Sequence, residues 1–392
     1  MTKRRLQFDP IIERLGIGAE FKQIPESERE YIYLRKSPRP EIVLDNSAAL
    51  HPRGGDAKMA LDAALDSIQL ELPQVNASVS LAECGMFLGP IHAWLCRAGR
   101  RANTPGMKAL AEKIIPVLDA AMSEQQIFVR AKLLCVASSF SRIDNGFFCC
   151  CFEHKRMKGG RFRLVIPVKV VPPQVDRVRR SGHDSLKAYR VGIPLVGRDF
   201  QWLRWDPRAL GLKRPAGEHP VLLTSHALRQ YEKRVPFYRD SDPIHDSIML
   251  SLYEPIVVSP SNDRLMVAHE IWDRRFGYWC FRFDGQQFVA DTFLFLTMDG
   301  TPEGDRLRKH LKLERADRER LMLDTLDSFL ASDIRNDNEL VLILTNCGCG
   351  HLFEFARKAD FEILITGSAE YARQFIGPDR LNNALTLLST PS

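Results

Sequence analysis

The hydrophobic period changes near Gly146, and that change constrains the fold more than any other feature. From Ala57 to about Ser139 the apolar residues recur at helical spacing, as in AKMALDAALDSIQLEL and SVSLAECGMFLGPIHAWLCRAG. Thr104-Pro105 reads as a helix start within the same stretch. Beyond Gly146, GFFCCCFEHKRMKGGRFRLVIPVKVVPP reads as two strands around a Lys-Gly-Gly turn. Helices followed by strands, with no regular alternation of the two, predict an α+β protein. At 392 residues the chain exceeds the ~100–200 residues of one domain, so it is expected to be multidomain. The expected order is an N-terminal arm over 1–56, a helical domain over 57–145 and a basic β-rich region over 146–206. A Pro- and Gly-rich linker over 207–220 follows, then an α/β module with an antiparallel sheet over 221–310 and a helical or mixed segment over 311–392.

Charge is unevenly placed. Between Lys155 and Arg190 stand eleven Lys or Arg residues and two acids, a net of +9, while the whole chain is +6 and the remainder therefore −3. The cations are Lys155, Arg156, Lys158, Arg161, Arg163, Lys169, Arg177, Arg179, Arg180, Lys187 and Arg190, interleaved with Phe162, His183 and Tyr189. Cations with aromatics suit phosphate contact and base stacking. The other reading is a solvated hairpin balanced by the acidic remainder. The two aspartates of YRDSDP, Asp240 and Asp242, read as turn and cap residues.

The stretch TSHALRQYEKRV, Thr224 to Val235, predicts a short amphipathic helix capped by Thr224 or Ser225. Leu228, Tyr231 and Val235 fall on the inner face with Ala227 beside them, and His226, Arg229 and Lys233 on the outer, with Arg234 at the flank. A second helix is expected over 243–254, then three strands, RLMVAHEIW, YWCFRFDG and QFVADTFLFLT, with a hairpin turn at Asp284-Gly285. Cleavage of RNA by its own 2′-hydroxyl needs a proton acceptor, a proton donor and positive charge near the phosphorane. Histidine fits the first two roles and arginine or lysine the third, with no metal. His269 sits with the apolar set of its strand and reads as a satisfied core or edge residue.

This order of helix, helix and antiparallel strands resembles the RelE-type and BrnT-type ribonuclease toxins over about residues 221–310. Their opening helix has a (T/S)-x-H-A-x-x-R flavour. Here the matching residues are His226, Ala227 and Arg229, with the arginine one position early, followed by Arg234. The resemblance implies a metal-independent endoribonuclease with His226 as general acid or base. Arg229 and Arg234 would stabilise phosphate charge, with Lys233 in support, and Thr292 and Thr297 would lie at the substrate end. Those toxins are small and free-standing, so the length of this chain puts toxicity in doubt more than the fold. Two other classes stay open: a non-catalytic nucleic-acid-binding or regulatory protein, and an interaction component docking on a protein partner.

The nine cysteines are odd in number and partly in apolar runs, which predicts reduced, buried thiols. Neither CCCFEH nor NCGCGHLF has the spacing of a zinc knuckle, so no metal and no cofactor is expected. There is no Walker loop, G-x-G-x-x-G, H-E-x-x-H or G-x-S-x-G. The apolar run Cys84–Cys96 is shorter than the ~20 residues that span a bilayer. No signal peptide is read at the N-terminus, and the chain is expected to be soluble and cytoplasmic, without a membrane partner.

Overall fold

The computed structural model describes residues 5–34, 38–72, 76–88, 108, 111–113, 115–116, 125–156, 162–179, 185–195, 200–235, 244–258, 264–271, 273–358 and 368–389. Helices combine with mixed and antiparallel sheets, as expected of an α+β chain. The chain divides into two compact units. The first holds 1–141, 146–172 and 194–201, and the second 142–145, 173–193 and 202–392.

Unit 1 contains α1 (Arg5–Arg14), α2 (Gly18–Lys22), α3 (Glu26–Leu34), β1 (Glu41–Leu44), α4 (Asn46–Ala49) and α5 (Gly54–Ser67). It continues with β2 (Gln69–Leu72), β3 (Ala77–Ser80), α6 (Leu81–Glu83), α7 (Gln125–Ser138), β4 (Phe147–Cys150), β5 (Glu153–Arg156) and β6 (Phe162–Val171). The expected N-terminal arm is instead part of this body. Phe8, Ile11, Ile12 and Leu15 recur at helical spacing and are buried in one cluster with Leu61, Leu65, Leu133, Phe148 and Ile166. The helix expected from Ser78 starts at Leu81, because Val79 pairs with Leu70 in a β2–β3 hairpin and Ser80 caps α6 through a capping box with Glu83. β6 is the central strand of the main sheet, parallel to β1 and antiparallel to β4 and β5. The expected helix start at Thr104-Pro105 lies outside the described residues.

Unit 2 is built on a seven-stranded sheet. Its strands are β7 (Val175–Arg179), β8 (Ser185–Arg190), β11 (Arg204–Trp205), β12 (His219–Thr224), β13 (Arg264–Ile271), β14 (Arg274–Phe283) and β15 (Phe288–Phe295). The short strands β9 (Gly192–Ile193) and β10 (Gln201–Trp202) precede β11 in the chain. The order is β13-β14-β15-β12-β8-β7, with β11 also on β12, and every pairing is antiparallel except β12 with β15. Between β12 and β13 come α8 (Ser225–Arg234) and α9 (Ile244–Tyr253). The meander turns at Asp284, whose Oδ1 accepts from the amides of Gln286 and Gln287 at 3.0 and 2.9 Å, while Gly285 takes φ +93. Gly277 lies so close to β15 that a Cβ would fall 2.1 Å from the Leu294 carbonyl oxygen.

The stretch 207–220 is not a free linker. Leu210 and Leu212 are buried, and the Leu210 and Leu212 amides turn back onto the Pro207 carbonyl. Its Pro and Gly content makes turns rather than looseness. After β15 the chain forms α10 (Pro302–Leu311), α11 (Arg315–Arg320), α12 (Leu326–Leu330), α13 (Asn338–Leu344), α14 (Gly350–Lys358), α15 (Ala369–Ile376) and α16 (Pro378–Ser389). No helix among the described residues is long and apolar enough to cross a membrane.

Candidate nucleic-acid interface

Two features of unit 2 carry the sequence-predicted site residues, the helix α8 and the hairpin β7–β8. Thr224 caps α8, its hydroxyl accepting from the Ala227 amide at 3.0 Å and donating to the Ala290 carbonyl at 2.9 Å. The helix packs mainly on β15, and also on β8 and β12. Arg229 and Lys233 are exposed, as the helical spacing predicts, and His226 is half-buried. Arg234 is not at the flank: it is buried with Ala227 and Tyr231. Positions 227, 231 and 234 are four and three apart, so they fall on one side of the helix. His226 and Arg229 are one turn apart. Lys233 lies one turn beyond Arg229 on the outer side, ~6 Å along the axis at ~1.5 Å per residue, whereas Arg234 is turned inward. The helix therefore does not bring the four residues together on one phosphate.

Beneath α8 lies a polar network inside an aromatic core. His269 is fully buried, and its Nδ1 accepts from the Trp279 indole N–H at 3.3 Å. An indole can only donate, so the imidazole is neutral with its proton on Nε2. Nε2 then donates to the Tyr231 hydroxyl at 3.0 Å, which leaves that hydroxyl to donate to Ser247 Oγ at 3.2 Å. Tyr231 stacks on Trp279 and meets Phe293 and His269 edge-on. Burial pushes the His269 pKa down to about 3. His269 is therefore a core residue and no proton acceptor for substrate. Thr297, expected at the substrate end, is buried and donates to the Leu323 carbonyl, while Thr292 is half-buried.

The basic block is divided between the two units, because the chain passes from unit 1 to unit 2 between Pro172 and Pro173. Lys155, Arg156 and Arg163 belong to unit 1, whereas Arg177, Arg179, Lys187 and Arg190 belong to unit 2. Lys158, Arg161 and Arg180 lie outside the described residues, as do His183, Asp240 and Asp242. In unit 1, Lys155 and Arg163 face each other across β5 and β6. Arg163 is paired with Glu41 at 2.6 Å, and Lys155 stands 3.9 Å from Glu153. Arg156 is exposed.

In unit 2, Arg177 and Lys187 face each other across β7 and β8. Arg177, Arg179 and Lys187 are exposed, and Tyr189 is half-buried beside them, while the alternate residues Val178 and Ala188 are buried. Strand alternation puts the three cations and Tyr189 on one side. Arg177 meets the Ser185 hydroxyl at 3.4 Å, and among the described residues no carboxylate pairs with any of the three. Arg190 belongs to the other side and is held by Asp176 at 3.0 Å. Like charges directly opposite on a sheet repel, so this side carries positive charge that no carboxylate among the described residues neutralises.

The sequence did not single out the cluster below α10. There Glu303, buried, accepts from the Tyr278 hydroxyl at 2.9 Å and faces Arg306 at 3.3 Å. Arg306 Nε donates to the Cys347 carbonyl at 2.8 Å. Burial pushes the Cys347 thiol up to about 11 and Cys349 well above its usual value, so both stay protonated. Among the described residues no group of three His, Cys, Asp or Glu side chains is placed to hold a metal. No known protein family, no curated protein and no solved structure matches the chain.

Proposed function

We propose that this chain binds nucleic acid, RNA in the first place, through the β7–β8 hairpin of unit 2, as a binding rather than a cleaving protein. The observation that carries this reading is the side formed by Arg177, Arg179 and Lys187, three exposed cations without a carboxylate among the described residues. Tyr189 beside them offers a ring on which a base can stack. Cations two residues apart on a strand are ~6.8 Å apart, a spacing that suits the phosphates of an extended single strand. The resemblance of 221–310 to RelE-type and BrnT-type toxins makes RNA the first ligand to test.

Binding is favoured over cleavage by the arrangement of α8. His226 and Arg229 remain together on its outer side, but Arg234 is turned inward and Lys233 is a further turn away. The test is labelled single-stranded RNA titrated with the full chain in EDTA. Retention of intact RNA, abolished in Arg177→Glu/Lys187→Glu, is the expected result. Cleavage that disappears in His226→Ala would replace this reading with a metal-independent endoribonuclease. No binding at low salt would leave the protein-interaction reading.

A further inference from the structure

The last residue of β7, Arg179, is held by a side chain from four strands away. In the order β14-β15-β12-β8-β7, four spacings of ~4.8 Å would set β7 about 19 Å from β14 in a flat sheet, beyond the reach of any side chain. Yet Arg282 Nη2 of β14 donates to the Arg179 carbonyl at 3.0 Å. The sheet therefore curls, and the β7–β8 hairpin folds back toward β14. Val178, Ala188, Leu222 and Val289, one from each of four successive strands, are buried in one cluster. Arg282 stands opposite Val289 in the β14–β15 register, so it lies on the same, inner side of the curl.

Local structure builds the donor. Cys280 pairs with Thr292 and Phe281 with Ala290, so Asp291 is an extra residue on β15 and forms a β-bulge. A bulge re-aims the side chain that it carries. The Asp291 carboxylate accepts from Arg282 Nε at 3.2 Å, and Asp284 stands 3.8 Å from Nη1. Two carboxylates thus fix the guanidinium through Nε and Nη1 and leave Nη2 for the Arg179 carbonyl. A charged donor makes this bond stronger than one between neutral groups. Because Val178 is turned inward, strand alternation turns Arg177 and Arg179 outward.

We propose that Arg282, fixed by Asp291, is a positioning residue for the β7–β8 hairpin. It holds the side formed by Arg177, Arg179 and Lys187 in one orientation, so that RNA does not have to order that side on binding. Arg282 acts through the hairpin and touches no phosphate itself. In its role in binding the proposal rests on the nucleic-acid reading, whereas the hold on the hairpin does not.

The experiment is amide hydrogen exchange of the full chain, read by mass spectrometry over 173–179 and over β13–β15. Anisotropy of a labelled single-stranded RNA at several salt concentrations accompanies it. In Arg282→Gln, 173–179 should exchange about tenfold faster with β13–β15 unchanged, and RNA should bind about tenfold more weakly, the scale of one hydrogen bond to a charged group. The salt slope should keep its wild-type value, because the phosphate contacts remain. Arg282→Lys keeps the charge but not the fork, so it should also loosen the hairpin and weaken binding, each to a smaller degree. The proposal is overturned if 173–179 exchange alike in wild type and Arg282→Gln. It is also overturned if β13–β15 loosen as much, which would make the residue one of general stability. Wild-type RNA affinity in a variant with a loosened hairpin overturns it as well. So does a salt slope lowered in Arg282→Gln and restored with full affinity in Arg282→Lys, which would make Arg282 a phosphate contact. If the wild type binds no RNA, the nucleic-acid reading fails, and exchange over 173–179 alone decides whether Arg282 holds the hairpin.

Discussion

Two cross-strand pairs of cations set the two units apart. Lys155 and Arg163 of unit 1 face each other as neighbours in a ladder do, and Glu41 and Glu153 stand beside them. Arg177 and Lys187 of unit 2 occupy the same relation, and among the described residues no carboxylate pairs with either. The first pair is a neutral patch and the second a standing charge. The difference extends inward, because unit 2 also buries Arg234 with no carboxylate paired to it among the described residues and His269 without a charge. A run of cations in a sequence therefore says little about binding until its carboxylates have been located.

The largest expected effect tests the interior of unit 2. His269 has a folded pKa of about 3 against an unfolded value of 6.5. Below pH 6.5 the unfolded chain takes up a proton that the folded chain refuses, so stability falls as pH falls. The loss should be roughly 1.4 kcal/mol per pH unit between 6.5 and about 3, a few kcal/mol in all. Above pH 6.5 the group contributes no pH dependence. Urea unfolding at stepped pH, followed by far-ultraviolet circular dichroism, measures this. His269→Gln, which can still donate to Tyr231, should flatten the slope. An unchanged slope in the variant would assign the acid sensitivity elsewhere.

The next effect is on RNA affinity. Arg177→Glu/Lys187→Glu should weaken binding about 30-fold or more, at ~1 kcal/mol for each cation–phosphate interaction removed. Lys155→Glu/Arg163→Glu changes the charge by the same amount in unit 1 and should weaken it less than threefold. Fluorescence anisotropy at one fixed salt concentration decides between them. Equal weakening in both variants would show that net charge, and not the uncompensated side of the hairpin, governs binding.

How much of this could be read beforehand differs by region. Residues 225–234, the second helix and the β13–β15 meander follow from local signals, namely a capping threonine, alternating apolar residues and Asp284-Gly285. Arg234 was expected at the flank of the first helix, and its burial shows that the side shared by positions 227, 231 and 234 is the one that packs. The split of the basic block was not legible, because contiguity in sequence carries no information on which compact unit a strand joins. Pro172-Pro173 was the one local sign of a break. The pairing of Arg163 with Glu41 spans 122 positions and has no local signature at all.

Salt dependence gives a finer measure. Three phosphate contacts on a single strand correspond to a slope of about −2 in log affinity against log salt. Removing Arg179 alone should bring it toward −1.4, at ~0.7 per contact. A slope unmoved by Arg179→Ala would take that residue out of the interface.

The smallest effect is on stability, and it runs in opposite directions in the two hairpins. Lys187→Glu replaces a repulsive cross-strand neighbour of Arg177 with an attractive one, so unit 2 should gain about 0.5 kcal/mol. Glu41→Gln removes the carboxylate beside Arg163, so unit 1 should lose about 0.5 kcal/mol, the scale of an exposed ion pair. Both changes should shrink in high salt, because exposed charges a Debye length apart are screened. Unfolding in denaturant at low and high salt measures the pair. Loss of stability in Lys187→Glu would mean that Arg177 and Lys187 do not repel. The hairpin would then be an ordinary solvated edge, and an anion bound to it would have no physical basis.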